Sequence, residues 1–243
     1  MGSSLNQIIS YLHQWAPPSL AAEWDNVGLQ IGDPKAEINS VLITLDVDVA
    51  TLAYLETHPV DLVITHHPVF FKPLKKIRYD LEMGRIISSF VKNDRHLFSM
   101  HTNLDAAENG VNDALIEQYG LDPTLGKPMC EGIGKSFNLD TPQKITTFLN
   151  VLPGKLVGHT DLKQVKRVGF CGGAGRSLLG KAYTIGLDLF ITGEVGYHDE
   201  VSAQFNELGI LTLGHKESEV FGLEKIKSKL TTQFSELKVS VYL

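Results

Sequence analysis

Two stretches of the chain repeat one another: Asp61-Leu-Val-Ile-Thr-His-His and Asp188-Leu-Phe-Ile-Thr-Gly-Glu. Each is preceded, at the same separation, by a second apolar run, Val41-Leu-Ile-Thr-Leu-Asp and Val168-Gly-Phe-Cys-Gly-Gly. A third pair follows in order, Leu97-Phe-Ser-Met-His-Thr-Asn-Leu-Asp105 and Leu211-Thr-Leu-Gly-His-Lys-Glu-Ser-Glu219. Three elements that recur in sequence favour a duplication over chance. The runs are short, continuously apolar and separated by helical segments, which is the signature of strands buried on both faces. The fold class that follows is α/β, with two similar half-domains, each a mixed sheet flanked by helices.

Strands are expected at 41–46, 61–65, 96–100, 165–171, 187–192, 210–213 and 236–243, and a β-leaning stretch near 131–139. Helices are expected at 48–57, 80–93, 109–119, 176–185, 197–207 and 218–230. The least regular stretch, about 120–164, marks a domain junction. Residues 1–125 form the first domain, completed by about 215–243, and 126–214 form the second.

Open α/β sheets bind ligands at the carboxyl ends of their strands. Those ends carry His66-His67, His101 with Asp105, Glu194, and His215 with Glu219. Neutral imidazoles and carboxylates are the usual ligands of Zn, Mn, Fe, Co or Ni. Two ions need about five to eight donors, and a bridging carboxylate suits a dinuclear hydrolytic centre. Adjacent residues on an extended backbone point to opposite sides, so His66 and His67 either serve different ions or flank one. In His215-x-x-x-Glu219 both side chains share one face if a helix begins at His215. His13, His58, His96 and His159 lack such company and read as structural or solvated. His198, close to Glu194, reads as a substrate contact or an outer partner of the site.

Other motifs are weaker. Gly175-Arg-Ser-Leu-Leu-Gly-Lys181-Ala182 approaches a phosphate-binding loop, but Ala182 has no hydroxyl for Mg. Cys171-Gly-Gly-Ala-Gly175 is either an anion-binding strand-to-helix turn or a plain tight turn. Phe70-Phe-Lys-Pro-Leu-Lys-Lys-Ile-Arg78 is either a solvated loop or a wall that meets an anionic substrate. Cys130 and Cys171 are distant from one another and from the ligand motifs, as expected of free thiols in a reducing cytoplasm.

Taken together, Trp24-Asp-Asn-Val-Gly-Leu-Gln30, Ile64-Thr-His-His-Pro68, His101-Thr-Asn-Leu-Asp105, Thr192-Gly-Glu194 and Gly214-His-x-x-x-Glu219 resemble the ordered motifs of the Nif-three-like family, commonly labelled "GTP cyclohydrolase 1 type 2 homolog". The resemblance covers about residues 5 to 240. It implies the short form without the inserted middle domain, a two-domain α/β subunit, and a homohexamer built as a trimer of dimers. It implies a dinuclear site of two divalent ions (Zn, Mn, Fe or Ni) between the half-domains. The implied ligands are His66, His67, Asp105, His215 and Glu219, with His101 and Glu194 beside them as proton shuttles. The implied chemistry is hydrolysis of a small-molecule nucleotide, opening of the GTP imidazole ring being the labelled case. A non-catalytic metal-binding scaffold, regulator or metal chaperone is the alternative. The net charge of -6 disfavours nucleic acid as a partner, and no apolar run reaches the roughly 20 residues of a membrane span. The expected location is cytoplasmic.

Overall fold

The structure is a computed structural model in which residues 2–130 and 132–243 are described. The chain divides into two compact units. The first runs to Ala107 and takes in Leu223–Leu243; the second is Glu108–Gly222.

The sheet of the first unit is ordered Lys238–Val241, Ser40–Thr44, Leu62–Thr65, His96–Ser99, Gly28–Ile31. The first four strands are parallel and Gly28–Ile31 is antiparallel on His96–Ser99. Every residue of Leu62–Thr65 and of His96–Ser99 is buried. That accounts for their continuous apolar character: helices cover the sheet and leave no face for an alternating polar set. The helices are Leu5–Trp15, Val49–Thr57 and Glu82–Lys92. Leu55, Ile86 and Phe90 pack with Leu42, Val63 and Leu97 of the strands. The helix Leu5–Trp15 was not among the predicted elements. Its apolar stripe of Leu5, Ile8 and Leu12 and its capping box from Ser4 and Gln7 make it a regular amphipathic helix.

The sheet of the second unit is ordered Lys127–Cys130, Ile133–Lys144, Gln164–Ala174, Leu189–Glu194, Gly209–Thr212, Lys155–Gly158. Its central three are parallel, and antiparallel strands complete both edges. The core joins Leu115 and Ile116 of the Val111–Gln118 helix to Phe137, Val168, Phe170, Leu189, Ile191 and Leu211. This packing assigns 108–125 to the second unit, so the sequence-based boundaries at 125/126 and 214/215 both fall inside it. Position 131, at the start of the β-leaning stretch, lies outside the described residues; from Ile133 that stretch is a twelve-residue strand.

The two sheets bear out the α/β fold of two similar halves. Val41 pairs with Leu62, and Val168 pairs with Leu189 in the same register. An edge strand is repeated as well: Gly28 pairs with Ser99, and Lys155 pairs with Thr212. Asp61 and Asp188 also do the same work. Asp61 Oδ2 accepts the N–H groups of Asn39 and Ser40 at 2.8 and 2.9 Å. Asp188 Oδ2 accepts those of Lys166 and Arg167 at 2.8 and 2.7 Å. Each aspartate anchors the start of the neighbouring strand. The third repeat is displaced by one residue. Thr65 pairs with Ser99 and Thr192 with Thr212, which sets His101 at the ladder position of Gly214 rather than of His215.

Charge-assisted bonds to paired strand-start amides stabilise by about 1.5–3 kcal/mol. Asp61→Ala and Asp188→Ala are each expected to lower unfolding stability by about 2 kcal/mol in urea denaturation; a loss below about 0.5 kcal/mol would show the anchors to be dispensable.

Candidate metal centre

In the first unit the Leu62–Thr65 strand runs straight into the histidine pair. The His66 N–H donates to the Thr44 carbonyl and the His67 N–H to the Leu45 carbonyl, so the ladder continues past the strand end. The two rings do not diverge as an ideal extended pair would: their centroids lie 5.0 Å apart. His101 joins them from the end of His96–Ser99, with centroids 5.2 Å from His66 and 5.6 Å from His67. One ligand atom from each of the three lies within 4.8 Å of the other two. His66 is fully buried.

The Nδ1 atom of each imidazole faces an oxygen. His66 Nδ1 meets the Met100 carbonyl at 2.8 Å. A carbonyl only accepts, so Nδ1 carries a proton, and in the neutral ring Nε2 presents the lone pair. His67 Nδ1 meets Asp46 Oδ1 at 2.9 Å, and His101 Nδ1 meets Asp25 Oδ1 at 2.9 Å. These are the carboxylate and carbonyl partners that orient metal-ligating histidines. Asp105 comes from the short helix Thr102–Ala106, and its Oδ1 lies 3.6 Å from His66 Nε2.

Asp25 is held from several sides. Its Oδ2 accepts the Thr102 N–H at 3.0 Å and the Thr102 hydroxyl at 2.5 Å. Burial alone would raise its pKa; the bonds from His101 and Thr102 outweigh that and lower it to about 2. The carboxylate is therefore ionised at neutral pH and holds the His101 Nδ1 proton.

In the second unit, the Leu189–Glu194 strand delivers Glu194, and a helix beginning at His215 delivers His215 and Glu219. The helix starts earlier than the predicted 218, so the spacing of four does place both side chains on one face. His215 Nδ1 meets Glu194 Oε1 at 3.1 Å, and His215 Nε2 lies 3.4 Å from Glu219 Oε1. Glu219 is buried, and the glycine turn packs against it. Gly173 has φ of +63°, and a Cβ there would stand 2.3 Å from Glu219 Oε1. The amides of this turn are engaged within the protein: Gly172 N–H donates to Asn112 Oδ1 at 2.8 Å and Gly173 N–H to Ser218 Oγ at 2.9 Å. Of the two readings of Cys171–Gly175, the structure favours the tight turn, which brings backbone close enough to wall a carboxylate.

His198 is exposed and its ring packs edge-on to Tyr197. His58 stacks on Tyr54, His13 packs on Phe98, and His96 Nδ1 accepts the Asp33 N–H at 3.4 Å. Sequence reasoning missed the orienting roles of Asp25 and Asp46. Both sit far from their histidines in sequence, and only the Trp24–Gln30 motif pointed toward Asp25.

The sequence profile of Duf34/NIF3 (NGG1p interacting factor 3) matches residues 3–243. The chain belongs to the Duf34/NIF3 family. Among the family's proteins, the "GTP cyclohydrolase 1 type 2 homolog" of Clostridium perfringens is 33% identical over 237 residues, covering 93% of this chain and 90% of the relative. The "NIF3-like protein 1" of Drosophila melanogaster is 32% identical over 235 residues, covering 90% of this chain and 78% of that one. Among solved structures, reduced HcgD from Methanocaldococcus jannaschii superposes with a TM-score of 0.88 at 28% identity, covering 99% of this chain and 98% of that one. The histidine geometry gives a cluster whose residues can hold a metal ion. No helix among the described residues is long and apolar enough to cross a membrane.

Asp25→Asn keeps the side-chain volume and removes the anionic acceptor. Loss of the anionic partner is expected to release His101 from the Nδ1–H tautomer, read as mixed tautomer populations in ¹H–¹⁵N spectra. Because the folded pKa of Asp25 lies below its unfolded value, its contribution to stability is complete above about pH 4 and lost as the pH falls toward 2. The variant should accordingly show a shallower acid limb. An unchanged His101 tautomer and an unchanged acid limb would mean that Asp25 does not support the site.

Proposed function

We propose that the protein is a metal-dependent hydrolase whose centre holds two divalent ions. The observation that carries this reading is the common orientation of four imidazoles. His66, His67, His101 and His215 each engage Nδ1 with a carbonyl or carboxylate and so offer Nε2 as a donor. The donor set fits borderline divalent ions, since it consists of imidazole nitrogens and carboxylate oxygens with no thiolate. A second feature supports it. With the imidazoles neutral, two lone-pair atoms face one another in His66 Nε2–Asp105 Oδ1 and again in His215 Nε2–Glu219 Oε1, at 3.6 and 3.4 Å. A shared cation relieves that apposition.

In this reading His66, His67, Asp105, His215 and Glu219 are the ligands. Bound ions of this kind polarise a substrate oxygen and lower the pKa of a coordinated water to near 7. The remaining work falls to the protein. Met100, Asp46 and Glu194 hold ligand imidazoles in one tautomer. His101, backed by the ionised Asp25, is placed to accept and return a proton. Glu194 is the second candidate shuttle, since its side chain is 59% exposed and binds His215 through only one oxygen. The family label supports a nucleotide as substrate, with hydrolytic opening of the GTP imidazole ring and release of formate as the labelled reaction.

Elemental analysis of gently purified protein tests the centre. About two ions per chain are expected, with at least one lost in His66→Ala and in Glu219→Ala. Formate release from GTP by the metal-loaded protein is the expected activity. Absence of divalent ions after reconstitution with Mn, Zn, Fe or Ni would overturn the reading.

A further inference from the structure

Trp24 and Phe71 stand out in the first unit because they remain 63% and 48% exposed. Large aromatic rings left in solvent forgo burial worth about 25 cal/mol per Å² of apolar surface. These rings are nonetheless fixed. They stack on one another with centroids 6.2 Å apart and planes 16° apart. Each also meets the His101 imidazole edge-on, Trp24 at 5.9 Å and Phe71 at 5.5 Å. The backbone under them is pinned by the family motif. Asn26 Nδ2 donates to the Phe70 carbonyl at 2.7 Å, and the Phe70 N–H donates to Gln30 Oε1 at 3.2 Å. Gln30 Nε2 in turn donates to the Asn26 carbonyl at 2.8 Å. An open cavity adjoins the pair, lined by Asn26, Phe70, Phe71, Lys72, Pro73 and Leu74. Lys72, Lys75 and Lys76 follow on an exposed stretch. Arg78 on the same stretch is paired with Asp80, so the lysines are the cations on offer.

We infer that Trp24 and Phe71 form a stacking platform for the planar heterocycle of a phosphate-bearing ligand, with Lys72, Lys75 and Lys76 receiving its phosphate. The inference rests on the reading of the centre as one that acts on a nucleotide. It adds where the base lies and what holds it. Three features of the surface match three parts of such a molecule. The rings offer a π-face, and every nucleobase has one. The lysines offer strongly hydrated point charges suited to phosphate. His101 touches the platform and also belongs to the imidazole cluster, so a base on the rings lies beside the groups proposed to react with it. Preorganisation by Asn26 and Gln30 spares the ordering cost that a loose loop would impose on binding.

The chain has two tryptophans, Trp15 and Trp24. In a Trp15→Phe background, Trp24 alone reports by fluorescence. The protein is stripped of metal and titrated separately with GTP, guanosine and inorganic triphosphate. GTP and guanosine are expected to quench Trp24, GTP at the lower concentration, while triphosphate leaves the emission unchanged. Phe71→Ala is expected to weaken GTP binding about tenfold or more, with metal content and circular dichroism unchanged. Lys72→Gln combined with Lys75→Gln is expected to weaken GTP binding and leave guanosine binding as it was. Overturning results are the absence of quenching by either guanine compound, or triphosphate competing as well as GTP while guanosine gives no signal. Metal content, measured on each preparation before stripping and again after reconstitution, separates the two readings. Quenching in a protein that binds no metal leaves the platform standing and removes the metal centre; two ions without quenching do the reverse.

Discussion

Each unit holds its clustered imidazoles by one kind of hydrogen bond, from Nδ1–H to an oxygen of the same unit. Either ring nitrogen of histidine can bind a metal, and the hydrogen bond made by one decides which is left as the ligand. Here the choice is made by the Met100 carbonyl for His66, Asp46 for His67, Asp25 for His101 and Glu194 for His215. Each oxygen is supplied by an element that the fold already fixes. Met100 follows the His96–Ser99 strand, and its own N–H donates to the Thr65 carbonyl. Asp46 follows the Ser40–Thr44 strand, and Asp25 is clamped by Thr102. Strand register thus fixes the Met100 carbonyl directly and places the backbone of Asp46 and Glu194 at strand ends within reach of their histidines.

Duplication explains why such groups accumulate at strand ends. Each unit repeats a parallel trio with an antiparallel edge, and each trio is anchored at its start by an aspartate. The ends of the trio are then free to diverge in chemistry. In the first unit they carry imidazoles, whereas the equivalent positions of the second carry Gly193 and Glu194. Gly193 is required there by contact: a Cβ would stand 2.5 Å from the Gly173 carbonyl and 2.6 Å from Ser218 Oγ. The second unit has exchanged a side chain for backbone closeness around the buried Glu219.

Much of this was legible in the sequence because the strands are buried on both faces and therefore read as unbroken apolar runs. The repeated Asp-Leu-x-Ile-Thr segments located two strands and their registers together. What escaped has identifiable causes. The edge strands Gly28–Ile31 and Lys155–Gly158 are short and only partly buried, so they lack the apolar run that marks the inner strands. The helix at Thr102–Ala106 has five residues, too few to show a period. The orienting roles of Asp25 and Asp46 were not legible because an outer hydrogen-bond partner needs only a carboxylate at the right point in space. Such a requirement leaves no spacing rule. The one-residue displacement between the His101 and His215 motifs was likewise hidden until the ladders fixed the register.

The central claim is that these imidazoles are locked with Nδ1 protonated and Nε2 left as the lone-pair atom. Long-range ¹H–¹⁵N correlation spectra of the metal-free protein, recorded at mildly alkaline pH, report the tautomer of each ring directly. The account expects His66, His67, His101 and His215 all to be Nδ1–H tautomers, with His66 the firmest because its partner is a carbonyl. Finding the proton on Nε2 in these rings would contradict it, since the atom proposed to bind metal, or in His101 to accept a proton, would then be a donor.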